Sequence, residues 1–429
     1  MKNIISLCIM AVLFTIPSLF AQQKSTFAPC FSDEYSRLRQ RDNTRAFEGW
    51  MASKLLSPRK AFSANDDDNV VTLPVVVHVI HDGDAVGVSE NIPDERIFAQ
   101  LQVLNQDFRR MEGTPGYAEN TAGVDTHIQF CLAQQDPDGN PTTGIDRQNL
   151  GLANWNTMDA VDYDLKAATQ WDPERYINIW VCRFGGELAQ VGGYAYFPEA
   201  SGLSGLEGAE ATANIDGIVM SFKAFGSSDI FPATTYFPEN DKGRSLTHEM
   251  GHFLGLRHIW GDQNSCLATD YCEDTPACVG LHFDCTPVDT CTSDDVWDQI
   301  ENHMDYTPDV CKSVFTAGQN DRMWVVLQNA PRRVSLLTSD ACQAPAAGVG
   351  EQWQKQLQLY PNPAQNSINI SGEGLDNARY QIYTVQGVRV AEGAVNKQAQ
   401  IDIQMLSAGV YIIKLADGSK TASLRFIKQ

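Results

Sequence analysis

Basic residues are scarce in this 429-residue chain. Thirty-two Lys and Arg stand against 53 Asp and Glu, for a formal net charge of −21 and a pI near 4.7. That deficit argues against nucleic acid and anionic membrane as partners, because both are held through clustered cations. Long apolar runs are scarce too. The run from Ile4 to Phe20, led by Lys2 and closed by Ala21, has the layout of a secretory signal over residues 1–21. It is short for a membrane span and has no later counterpart, so no transmembrane helix is expected. Cysteine, in contrast, is plentiful. Cys8 leaves with the signal, ten remain, and six of those crowd between Cys266 and Cys311, as suits an oxidising compartment. The length allows two or three domains.

The chemistry concentrates in Thr247-His248-Glu249-Met250-Gly251-His252-Phe253-Leu254-Gly255-Leu256-Arg257-His258. His248 and His252 lie four apart, so on a helix they point the same way one turn above another. Two neutral imidazoles so placed can hold Zn²⁺ at about 2.0–2.1 Å. Glu249 is about a quarter-turn off that axis, where it can reach a water on the metal as general base without being a ligand. On a continued helix His258 would face away. Gly255 offers the exit, since glycine takes positive φ cheaply at a helix C-terminus, and the chain can then return His258 to the metal. Three protein ligands leave the open position of a catalytic zinc.

This pattern resembles the metzincin metalloproteases. The resemblance implies a tight turn with a methionine beneath the zinc, and Glu301-Asn302-His303-Met304-Asp305-Tyr306 supplies it. Met304 would form the soft apolar floor under the histidines. Tyr306 would present its hydroxyl to the oxyanion of the tetrahedral intermediate.

Residues 22–59 read as a prosegment, with Cys30 in Ala28-Pro29-Cys30-Phe31-Ser32 and a charged helical run from Asp33 to Leu56. The Cys30 thiolate would fill the open zinc position until the segment is cut off. The alternative is a structural disulfide, for instance with Cys342. The exposed linker Ser57-Pro58-Arg59-Lys60 with Ser63 to Asp68 is the cleavage region expected. The catalytic domain is assigned to 60–342. It opens on an apolar strand, Val71 to His81, in which His78 and His81 are read as structural. An amphipathic helix from Ile92 to Met111 carries Pro93 in its first turn. Strands are expected at Ile128–Ala133, Tyr176–Phe184 and Ile218–Phe222, and the active-site helix at about Arg244 to Leu256. Gly192-Gly193-Tyr194-Ala195-Tyr196-Phe197-Pro198 reads as an edge strand approached closely by another backbone. By the metzincin resemblance, that backbone is substrate added to the sheet.

Within the metzincins, the chain resembles the pappalysin family in its short bacterial form, over roughly Leu73 to Cys342. The zinc stretch, Asp274-Thr275-Pro276, Asn302-His303-Met304-Asp305-Tyr306 with Cys311, and Phe315-Thr316-Ala317-Gly318-Gln319 carry that likeness, and Thr316 with Gln319 would form a capping box. The fold implied is an α/β metzincin-like zincin: a twisted, mostly parallel sheet with helices above a loop-rich, disulfide-bonded lower part. The resemblance also implies two crossed disulfides, Cys266–Cys291 and Cys285–Cys311. Cys272 and Cys278 would be extra and available to each other, and Cys131 and Cys182 would pair or stay free. A structural calcium is implied after the zinc motif, with the side chains of Asp270 and Thr275 and the carbonyls of Thr269 and Glu273 as ligands. The alternative is a solvated acidic loop. Some relatives cleave before Lys or Arg through an acidic residue just past the methionine turn. Asp309 stands there, with Val310 in the neighbouring slot, so specificity stays open.

Gln343 to Gln356 reads as a linker. Over 357–429, short strands at regular spacing predict an all-β immunoglobulin-like sandwich. Leu359-Tyr360-Pro361-Asn362-Pro363-Ala364, Gly409 to Leu415 and the terminal Phe426-Ile427-Lys428 make it resemble the type IX sorting domain of Bacteroidetes, the alternative being an adhesive or carbohydrate-binding module. The reading is therefore a secreted zinc endopeptidase made as a zymogen. It would act on proteins or peptides, and type IX machinery would carry it to the outside or outer surface of a Gram-negative Bacteroidetes-like bacterium. Rival readings are a secreted binding or adhesion protein with a non-catalytic zinc site, and a non-peptide hydrolase.

Overall fold

The structure is a computed structural model that describes residues 27–39, 44–56, 70–198, 213–292, 296–345 and most of 353–429. The signal segment, the Arg59-Lys60 linker and most of the second linker lie outside the described residues. Two compact units emerge, one of residues up to 132 with 145–339, the other of 133–144 with 340–429. The turn around Asp136, inside the 60–342 span assigned to the catalytic domain, thus groups with the second unit, where Gln134 N–H donates to the Ala341 carbonyl at 2.7 Å.

The first unit is built on one twisted sheet of seven strands: β1 (Ala28–Cys30), β2 (Val71–His81), β3 (Ile128–Leu132), β4 (Ile145–Asn149), β5 (Ile177–Cys182), β6 (Val191–Ala195) and β7 (Ile218–Ser221). Their order is β1-β6-β7-β5-β2-β3, with β4 on β2 beyond β3. Pairing is parallel except between β6 and β7. The continuous apolar run of β2 is what a strand covered on both faces requires. His78 is fully buried, its ring nitrogens 2.8 Å from Asp146 Oδ2 and 2.9 Å from Asn178 Oδ1, which bears out a structural role.

Helix α3 (Asp94–Phe108), with Pro93 at its N-cap, and the active-site helix (Arg244–Phe253) cover one face. The other face carries Trp155, Trp180, Tyr194 and Tyr196. The charged run after Cys30 forms two helices, α1 (Ser32–Arg39) and α2 (Thr44–Leu55). The disulfides Cys266–Cys291 and Cys285–Cys311 are present in the loop region. The pairings left open resolve as follows. Cys272 and Cys278 remain separate buried thiols, and Cys182 is free while Cys131 is in a disulfide. Burial among core side chains shields these thiols without a bridge.

The second unit is all-β. Sheets of four strands (β10 Arg379–Thr384, β11 Arg389–Ala394, β13 Gly409–Asp417, β14 Lys420–Lys428) and three strands (β8 Gln358–Tyr360, β9 Ser367–Ser371, β12 Gln400–Asp402) share one core that includes Ile368, Ile382, Ile401, Ile413 and Phe426. Among the described residues, no helix is long and apolar enough to cross a membrane.

Candidate active site

All ten residues of the active-site helix are buried, so its ends must be satisfied from within the protein. Gly243 offers no side chain at the N-terminus. Asp309 does the work instead: its Oδ2 accepts from Lys242 N at 2.9 Å and Arg244 N at 3.1 Å. Asp309 is fully buried as a helix cap, and it does not line the nearby cavity of Phe237, Pro238, Glu239, Phe283, Tyr306 and Pro308. At the C-terminus Gly255 takes φ +90°. Leu256 N bonds to Gly251 O and Gly255 N to His252 O, both at 2.9 Å, the paired bonds of a glycine cap. The turn also fixes a functional ring, since His252 Nδ1 donates to the Leu256 carbonyl at 2.8 Å.

His248 and His258 are oriented in the same manner. His248 Nδ1 donates to the His303 carbonyl at 2.7 Å and His258 Nδ1 to Asp262 Oδ1 at 2.5 Å. His258 is also stacked on Trp260, centroids 4.3 Å apart. With each Nδ1 carrying its proton, the Nε2 atoms of the neutral rings present lone pairs, and these lie 3.1–3.2 Å from one another. Burial, then the neighbouring imidazoles, hold His248 well below the ordinary histidine range; burial and His258 push His252 down to about 3. Three converging lone pairs repel unless a cation sits among them. Ligands about 2.0 Å from a tetrahedral centre are about 3.3 Å apart, so this donor set fits zinc.

Cys30 completes the cluster. It is a free buried thiol whose sulfur lies with the three Nε2 atoms inside a sphere of mutual separations no greater than 4.8 Å. It arrives on β1, which adds to β6 in parallel with Cys30 opposite Gly193. The expected close approach is real: a Cβ on Gly192 would stand 2.4 Å from the Pro29 carbonyl oxygen. Phe27 reaches the cavity named above, 4.5 Å from the Phe237 ring. Ser32, which the sequence did not single out, donates its hydroxyl to Glu249 Oε2 at 2.6 Å and accepts from Ala195 N at 2.8 Å. Glu249 is fully buried, its Oε1 has no partner, and burial pushes its carboxyl up to about 7. Tyr306 donates its hydroxyl to the Cys30 carbonyl at 3.1 Å.

Met304 is fully buried. Its sulfur touches the helix where Gly251 has no side chain, and an added Cβ would meet it at 2.4 Å. Gly251→Ala should therefore displace the methionine turn and cut kcat/KM by about tenfold or more. Peptide-cleavage kinetics with zinc content measured in parallel would check this.

Asp270 is 3% exposed. Its Oδ1 accepts from Cys272 N and Thr275 Oγ1, its Oδ2 has no partner, and burial pushes its carboxyl up to about 6. The Thr269 carbonyl lies beside Gly261, and Glu273 lines a cavity with Asp274 and Arg322. Asp274 is committed elsewhere, to Thr316 Oγ1 and Gly318 N at the start of the helix Ala317–Asn329, whose Thr316–Gln319 capping box is formed. A further acidic group, Asp82, Asp84 and Glu90, is mostly surface, with Glu90 already paired to Arg183.

Comparison with known proteins settles the lineage. The family described as pregnancy-associated plasma protein-A matches residues 159–328. Mature mirolysin of Tannerella forsythia in complex with a cleaved peptide is 35% identical, with 62% of this chain and 96% of that chain covered and a TM-score of 0.53. The chain belongs to the pappalysin family. A promirolysin mutant from the same organism is 32% identical over 72% of this chain and 97% of that one, TM-score 0.57. An extracellular metalloprotease of Arthroderma benhamiae is 28% identical over 281 residues, 65% of this chain and 86% of that protein. Residues 358–429 match the secretion system C-terminal sorting domain. This pappalysin is thus a secreted zinc endopeptidase, made as a zymogen with a type IX sorting tail. A non-catalytic binding role is not favoured.

Proposed function

We propose that His248, His252 and His258 hold the catalytic zinc through Nε2, with Cys30 as fourth ligand of the latent form, Glu249 as general base and Tyr306 as oxyanion donor. The observation that carries this is the meeting of three oriented lone pairs and one free thiol at a single point beside a buried carboxylate. When bound, zinc supplies Lewis acidity toward the scissile carbonyl and acidifies water. Glu249 takes the proton of the attacking water and passes it to the leaving amine. Its partnerless Oε1 supports that assignment. Tyr306 donates to the developing oxyanion the hydrogen bond it now gives Cys30. Once β1 leaves, the freed edge of β6 can take substrate as an added strand.

Met304 is the floor of this site. Residues 22–59 are the prosegment, 60–342 the catalytic domain, 343–356 a linker and 357–429 the sorting domain, which directs the protein to the outside or outer surface of a Bacteroidetes-like cell. Asp270 and Thr275, with the Thr269 and Glu273 carbonyls, bind a structural calcium; the partnerless Asp270 Oδ2 supports it. Specificity belongs to the cavity beside Tyr306 rather than to the Asp309 carboxylate.

The test is digestion of a denatured protein mixture by the trimmed enzyme, stripped of metal and resupplied with zinc or calcium separately. Zinc should restore cleavage. Calcium alone should restore none but should raise the melting temperature. Cleavage that survives stripping would overturn the zinc assignment, and a melting temperature indifferent to calcium would overturn the calcium site.

A further inference from the structure

His282 stands outside the metal site, yet it joins the two walls of the cavity beside Tyr306. Its Nδ1 lies 2.6 Å from Asp305 Oδ2 and its Nε2 2.9 Å from Asp298 Oδ2. Its own N–H reaches Asp305 Oδ1 at 3.2 Å. Both carboxylate side chains are fully buried, and the imidazole is 10% exposed. A neutral imidazole has one N–H and can serve only one of the two. Two buried carboxylates also need a nearby cation.

What the bridge joins matters more than its strength. Asp305 follows Met304, and its Oδ1 accepts from the Tyr306 N–H at 2.7 Å. Asp298 is tied to Thr290 through Oγ1 at 2.6 Å and N at 3.2 Å. The next residue after His282 is Phe283, which lines the cavity together with Tyr306, Phe237 and Pro308. One ring thus pins the disulfide-bonded loop to the methionine turn.

We propose that His282, as an imidazolium bridging Asp298 and Asp305, is a positioning residue that sets the width of the specificity cavity. This rests on the reading that the cavity takes a substrate side chain. The groups that act on the bridge are Asp298 and Asp305 directly, Asp284 on the same loop, Lys312 through Asp305, and the Cys278 thiol that both carboxylates face. Burial disfavours the charged ring, but the two carboxylates outweigh it and raise its pKa above the ordinary histidine value. A raised pKa means the imidazolium persists at neutral pH and is lost as pH rises through that value.

The experiment compares trimmed wild type, His282→Arg and His282→Gln. Peptides identical but for Phe, Arg or Ala at the first residue after the cut are followed from pH about 6 to about 10. Wild type should discriminate its preferred large side chain from Ala at neutral pH and lose about tenfold of that discrimination at the alkaline end, mainly in KM. His282→Arg, whose charge and fork persist at every pH, should keep the discrimination flat. His282→Gln should be poor throughout. Discrimination in His282→Arg that falls with pH as in wild type would overturn the proposal, and so would an unaffected His282→Gln. If His282→Gln does not fold, the arginine variant decides alone. Absence of discrimination in wild type at any pH would instead sink the cavity reading.

Discussion

Replacing Glu249 by glutamine should lower kcat/KM by about 1,000-fold while leaving zinc bound at one equivalent. The amide keeps the shape of the side chain but cannot take a proton, which is the contribution of a general base. The three histidines owe their orientation to carbonyls and to Asp262, none of which involves Glu249. Zinc assay and cleavage of one peptide by the trimmed proteins separate the two quantities. A variant that loses both together would mean that Glu249 supports the metal rather than the reaction.

Cys30→Ala in the full chain should raise the activity of the untrimmed protein by at least about tenfold, yet leave it well short of the trimmed enzyme. The thiol is only one of the prosegment's holds. Tyr35 is fully buried, with its hydroxyl 3.0 Å from both oxygens of Asp162, which itself pairs with Lys166. Glu48 receives Arg257 Nε at 2.7 Å and Arg322 through two nitrogens at 2.7 and 3.0 Å. Breaking a buried pair of that kind costs about 3–5 kcal/mol. Adding Glu48→Ala to Cys30→Ala should therefore release most of the remaining latency. Initial rates of the uncut proteins, with cleavage of the linker monitored by mass, would show it.

The parts of the site that were legible are those carried by local spacing. His248 and His252 follow from helical periodicity, and the exit at Gly255 from the cost of positive φ, which the observed +90° bears out. The apolar run of β2 announced a doubly covered strand, and the capping box at Thr316 was readable letter by letter. Ser32 was not legible, because its partner Glu249 lies 217 residues away and one serine carries no signature. The capping role of Asp309 was hidden for a related reason. Asp309 stands at the offset a specificity residue would occupy, but a buried helix start with glycine at its cap position claims the carboxylate first. Strand β4 escaped notice because Ile145–Asn149 is polar and only partly buried, with little of the apolar pattern that marks its neighbours. Cysteine pairing beyond the two crossed bridges was equally beyond reach, since parity leaves many connectivities open.

The crossing of those two bridges has a consequence for a protease that lives among copies of itself. The spans 266–291 and 285–311 overlap, and together they enclose the loop that exposes Leu267, Phe283 and Trp297. A single self-inflicted cut anywhere from 266 to 311 falls inside at least one closed ring, so the two halves of the molecule stay covalently joined. Autolysis at this loop would yield a nicked but whole enzyme, visible as fragments only after reduction.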